Sequence, residues 1–255
     1  MDYTHRLKVL VEHALIQDGF SPGSDSKVLA LTAEKQAAWK KIIGSIISAE
    51  AAEERVLKPV LEAFSFHPLV KQYVHTHARD EEKHAGWLKL YLKTSFQFER
   101  KKQSLSSKII YGNVLPFVSR ATCANHPMLV LIVVYFYEVY SQFIYSEAKK
   151  AARRDELPEL VSLIERIEKD ERRHLAGIEA VTEFYQNEVK SFKTSDWFLA
   201  KMALQIARID LAQAPWAIHN RELAKQVSCL GISTEAWHAR GEIAEQKSLE
   251  LILKA

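Results

Sequence analysis

Two stretches of this 255-residue chain, HARDEEKHAG (77–86) and IEKDERRHLAG (167–177), carry the same Asp-Glu-x-x-His core ninety residues apart. Residues three apart on a helix are neighbours on one face. Glu81 with His84, and Glu171 with His174, can therefore hold one ion or two adjacent ions. Both pairs lie on apolar helical stripes. One stripe runs Val74, Glu81, His84, Leu88, Tyr91 and Leu92; the other runs Ile164, Ile167, Glu171, His174, Ile178 and Val181. A single such motif is common on surface helices, but two in core-facing stripes call for partners.

Two further acids meet that demand. Glu50 falls between Ile46 and Leu57 on a stripe that begins at Trp39, and Glu138 shares a face with Leu131, Val134, Gln142 and Tyr145. The periodicity predicts helices from about Ala33 to Phe64, Leu69 to Phe98, Pro127 to Arg154 and Pro158 to Tyr185. The turns are SFHP and RRDELPE, and Pro68 is placed to begin the second helix. Glu50 and Glu81 each lie about fifteen residues from the first turn. Glu138 and Glu171 lie about eighteen and fifteen from the second. At about 1.5 Å per residue, antiparallel hairpins bring each pair nearly level at mid-bundle. The region from Lys101 to Ala124, partly helical, is long enough to be a crossover. Further helices are expected over about Asp196–Val227 and Thr234–Lys254, broken at Gly231.

Four buried carboxylates need counter-charge. Two divalent cations would balance them, with the imidazoles neutral. Mixed oxygen and nitrogen donors suit iron, or alternatively manganese, better than calcium. Asp80 and Asp170 stand one residue before each motif Glu, where they can accept the free N–H of the opposite His: Asp170 from His84, and Asp80 from His174.

Other polar residues have plainer readings. Glu53 faces solvent or adds a supporting carboxylate, Glu54 is a surface ion-pair partner, and Glu82 is a solvated charge. His77, one turn before Glu81, is a candidate extra ligand, although a polar core residue is the favoured reading. His67 and His75 read as turn or surface residues, and His126 as a helix-entry residue. Tyr91, Tyr135, Tyr145 and Tyr185 lie within two turns of the acids and receive no role beyond packing, as do Trp39 and Trp87.

Only eight Gly and seven Pro interrupt the chain, consistent with an all-α protein, and a net charge of +3 with interleaved signs gives no case for nucleic acid or an anionic membrane. Met128 to Tyr137 is the most apolar run and is too short to span a bilayer. The N-terminal residues lack a signal-peptide core. Cys123 and Cys229 form no C-x-x-C pair. A cytoplasmic location is expected.

The pattern Glu50 … DEEKH … Glu138 … DERRH resembles the ferritin-like di-iron carboxylate superfamily, which includes rubrerythrin, bacterioferritin, the ribonucleotide reductase small subunit and di-iron oxygenases. The resemblance covers about Ala33 to Tyr185. It implies a ferritin-like four-helix bundle over about 33–188, with a long crossover and two additional C-terminal helices over about 196–254, in one domain spanning 1–255. It also implies that Glu81 and Glu171 bridge or chelate two Fe ions (or Mn), with Glu50 and Glu138 as terminal ligands and His84 and His174 on one ion each. The expected activity is oxidation of a small organic substrate by dioxygen at a dinuclear, non-haem centre. With no flavin or nicotinamide fingerprint, electrons would come from an external donor such as a ferredoxin. The rival readings are a rubrerythrin-like peroxidase or di-manganese catalase acting on peroxide, and an iron-storing ferroxidase. The chain departs from a typical rubrerythrin in lacking C-x-x-C, and from a cage subunit in its length. A homodimer is the expected assembly.

Overall fold

The computed structural model describes residues 2–15, 20–98, 115–189, 194–212, 228–232 and 234–254. Helix α1 covers Tyr3–Leu15, α2 Ala33–Ala63, α3 Pro68–Phe96, α4 Leu115–Cys123, α5 Pro127–Arg154, α6 Pro158–Phe184, α7 Thr194–Ala212 and α8 Thr234–Lys254. A short 3₁₀ turn, Ser26–Ala30, precedes α2, and α6 runs on into a π turn, Tyr185–Val189. No strand occurs among the described residues. The expected crossover before 115 and the helical stretch 213–227 lie outside them.

Local chemistry sets the four long helices. Pro68, Pro127 and Pro158 each open a helix at a position that needs no N–H. Thr32 caps α2 by accepting from Lys35 N, and His67 caps α3 by accepting from Val70 N through Nδ1. Asp25 caps α6 from outside: its carboxylate accepts from the backbone N–H of Glu159 and Leu160, both at 3.0 Å, and from the Tyr91 hydroxyl at 2.7 Å. The cap is buried and ties the loop before α2 to α3 and α6 at once.

Helices α2 and α3 form one hairpin and α5 and α6 the other; α2 packs on α5, and α3 on α6. Between them the core has two apolar blocks. At one end, Trp39, Ile43, Leu88, Tyr91, Ala148 and Ile164 pack together. At the other, Leu57, Phe64, Val74, Leu131 and Val181 pack with Leu7 and Val11 of α1. Helix α1, which the periodicity did not single out, lies against α3 and α6, and α4 against α2 and α5.

The unbroken run at Met128–Tyr137 has a simple cause. Leu131 and Val134 face the bundle, while Ile132 and Phe136 face a third apolar cluster with Ala200 and Leu204 of α7 and Ala244 and Ile252 of α8. Helix α5 is apolar on both sides because it is covered on both. It is the one described helix long and apolar enough, by composition, to cross a membrane, and over half of that window is buried inside the protein.

Replacing Asp25 by Ala leaves two helix N–H groups and a buried hydroxyl without their acceptor. The expected loss is roughly 1–3 kcal/mol, measured by chemical denaturation of D25A beside the native chain.

Candidate metal centre

The polar layer lies between the two bundle cores, at the height where the apolar stripes carry acids. Glu50 comes from α2, His77, Glu81 and His84 from α3, Glu138 from α5, and Glu171 and His174 from α6; all are buried. Their donor atoms fall into two groups, His77–Glu81–Glu138–His174 and Glu50–Glu81–His84–Glu171, with the atoms of each group within 4.8 Å of one another. Glu81 belongs to both. Glu171 also reaches both sides, with Oε1 3.4 Å from His84 Nδ1 and Oε2 3.8 Å from His174 Nδ1.

The histidines are oriented by their outward nitrogens. His84 Nε2 lies 3.2 Å from Asp170 Oδ2, which turns Nδ1 toward Glu50 Oε2 at 3.1 Å. His174 Nε2 lies 3.5 Å from Asp80 Oδ2, and its Nδ1 is 3.0 Å from Glu138 Oε1 and 3.1 Å from Glu81 Oε1. His77, favoured in sequence as a core residue, enters the first group. Its ring stacks on that of His174 with centroids 3.7 Å apart, and its Nε2 is 2.7 Å from Glu138 Oε1. Tyr73 decides its tautomer. The Tyr73 hydroxyl donates to the His174 carbonyl at 2.6 Å, so its oxygen is left to accept from His77 Nδ1 at 3.4 Å. Nε2 then carries the lone pair.

Gly177 makes room for this arrangement. A Cβ there would stand 1.9 Å from Cε2 of the Tyr73 ring. The hydroxyl of Tyr145 donates to Glu50 Oε1 on the opposite side of the layer.

Arg173 was not among the residues expected to matter. It is 8 % exposed and binds Asp170 Oδ1 at 2.6 Å through one nitrogen and Asp80 Oδ2 through the other. Lys83 Nζ adds a contact to Asp80 Oδ1 at 2.7 Å. A continuous chain therefore runs His84–Asp170–Arg173–Asp80–His174. A signal for it is present in the sequence, since each motif Asp is followed three residues later by Lys or Arg.

Two opposed electrostatic environments result. Burial pushes Glu81 and Glu138 well above the usual carboxylate range, and the neighbouring glutamates push the same way. Burial would also raise Glu171, but the facing Glu138, His174 and His84 outweigh it and hold it well below. His77 is driven well down by burial and by His174 beside it. For His84, burial pulls downward and Asp170, Glu171 and Glu50 more than reverse it; His174 is raised in the same manner by Asp80 and Glu171. Asp80 and Asp170 are held low against burial by the facing histidines and Arg173.

The layer has the marks of a cation site. His77 Nε2, Glu81 Oε1 and Glu171 Oε1 are buried without a hydrogen-bond partner, so the 2.7 Å contact of His77 with Glu138 lacks hydrogen-bond direction. Lone pairs that converge without hydrogens between them are what shared metal ions require. Of the remaining polar residues, Glu54 pairs with Lys58 at 2.5 Å, Glu82 and His75 are exposed, and His126 Nδ1 lies 3.4 Å from Asp196 Oδ1. Tyr135 donates to Glu179 at 2.9 Å.

Removing Arg173 leaves two buried aspartates facing each other. R173A is expected to lose roughly 3–5 kcal/mol at neutral pH, read from denaturant midpoints. Because both aspartates titrate below their unfolded range, the native chain holds this stabilisation above that range. It loses it as pH falls through the depressed values, so the gap between the two proteins should close in acid.

The sequence matches no protein-family model and no curated protein. Among solved structures the fold is similar to that of R2-like ligand-binding oxidases. One is a single-residue variant with an anaerobically reconstituted Mn/Fe cofactor, at 17% identity and TM-score 0.70 over 97% of this chain and 93% of that one. Another variant, reconstituted aerobically, gives 14% and 0.71 over 99% and 95%. The oxidase with aerobically reconstituted Mn/Fe cofactor after a long soak gives 16% and 0.67 over 99% and 94%. This chain has the ferritin-like fold, in the form those oxidases take, with helices added before and after the four-helix bundle.

Proposed function

We propose that the chain is a non-haem dinuclear-metal oxidase that uses dioxygen, with iron or manganese in the polar layer. The observation that carries this reading is the pair of donor groups sharing Glu81. His77, Glu81, Glu138 and His174 would hold one ion, and Glu50, Glu81, His84 and Glu171 the other, with Glu171 reaching across. Support comes from the fold neighbours, whose structures carry a Mn/Fe cofactor. Held there, two such ions would supply the electrons and the Lewis acidity that dioxygen chemistry requires.

The protein's own part is orientation and exclusion. Asp170 keeps a proton on Nε2 of His84, which leaves Nδ1 as the donor atom, and Asp80 faces Nε2 of His174 at 3.5 Å, with Nδ1 turned to the acids. Tyr73 does the converse for His77, leaving Nε2. Tyr145 fixes one oxygen of Glu50. The apolar blocks above and below keep water from the layer. A small organic substrate and an external one-electron donor of the ferredoxin type complete the proposed reaction.

Metal analysis tests the reading. The native chain, loaded anaerobically with ferrous or manganous ions and desalted, should retain two equivalents, and the E81A/E171A double variant neither. A native chain that retains none would overturn it.

Protons and metal compete for the layer. With Glu81 and Glu138 raised in the metal-free protein, their contribution to stability is present below the usual glutamate range and is lost as pH rises through the raised values. The melting temperature of the metal-free chain should therefore fall as pH rises above the usual glutamate range, while that of the metal-loaded chain should not. Metal uptake should release protons, seen as a binding heat that depends on the buffer's ionisation enthalpy.

A further inference from the structure

We propose that Glu53 is an additional ligand of the ion held by His77, Glu81, Glu138 and His174. The inference rests on the dinuclear reading above. Glu53 stands three residues after Glu50 on α2 and so shares its face, whereas Glu54 turns outward to Lys58. The Glu53 side chain is 16 % exposed, but its Oε1 is buried and has no hydrogen-bond partner. That oxygen lies 3.5 Å from His77 Nε2, whose lone pair is likewise without a hydrogen bond. The spacing is that of two donors each about 2.1 Å from a shared ion and somewhat more than a right angle apart. The same carboxyl also reaches Glu138, a member of that donor group.

With Glu53 included, the centre comprises five carboxylates and three imidazoles. Glu53 adds to the inequality of the two ion positions: one has His77, His174 and Glu53, the other His84 and Glu50. Five carboxylates exceed the charge of two divalent ions by one, so the set is matched when one ion is trivalent. This separates Glu53 from a spare acid at the Glu50 position, since each serves a different ion.

The test is Mössbauer spectroscopy of the full chain loaded anaerobically with ⁵⁷Fe(II), alongside anaerobic Fe(II) titration, for the native protein, E53A, E53Q and E50A. Native protein should show two equal quadrupole doublets. E53A should change one of them and weaken one of the two ferrous ions by at least about tenfold. E50A should change the other doublet. E53Q, which keeps an oxygen donor, should fall between E53A and native protein. Helical circular dichroism and melting curves establish that each variant is folded. A folded E53A with native doublets and native affinity at both positions would overturn the role of Glu53 and leave the dinuclear site standing. A native chain that binds no iron would overturn both.

Discussion

A carboxylate taken out of water needs a counter-charge close by, and this bundle buries four glutamates and most of a fifth in a single layer between two apolar blocks. The helix hairpins bring those acids to one height, and the blocks on either side deny them solvent. A bundle built only for stability would fill the same volume with leucine. The layer is thus a local sacrifice of stability at which charge must be supplied from elsewhere, and the geometry of its unshared oxygens and nitrogens is matched to cations.

Counter-charge is supplied to the outer half of the layer by the chain itself. Arg173 and Lys83 hold Asp80 and Asp170, and those aspartates face the outward nitrogens of His174 and His84. These contacts need no ion, so the imidazoles are aimed before any arrives. The inner half has no such provision. Acids there sit against acids, which is why burial and neighbouring charge raise Glu81 and Glu138 while the outer aspartates are depressed.

Much of this was legible in the sequence because helical periodicity is a strong signal and acids within an apolar stripe break it conspicuously. The four bundle helices, the level placement of Glu50 with Glu81 and Glu138 with Glu171, and the partners of His84 and His174 all follow from spacing and turn position. What was missed depends on packing between elements. Glu53 sits at the margin of its stripe, and only the approach of α3 turns it inward. His77 and Tyr73 acquire meaning from the neighbouring α6 backbone. Arg173 reads as a solvated charge until two aspartates from different helices meet beneath it. Helix α1 is too short and too evenly charged to stand out, and it is held by contacts with α3 and α6 that no local pattern announces.

The close meeting of α3 and α6 carries a consequence for how such a chain can vary. Tyr73 occupies the volume that any side chain at Gly177 would need, and from there its hydroxyl reaches both the His174 carbonyl and His77. The two positions behave as one lock: matter added at one must be removed at the other. A chain that drifted to Ala at 177 would have to surrender the tyrosine ring, and with it the group that fixes the third histidine. Positions 73, 77 and 177, spread over a hundred residues of sequence, can therefore change only in concert.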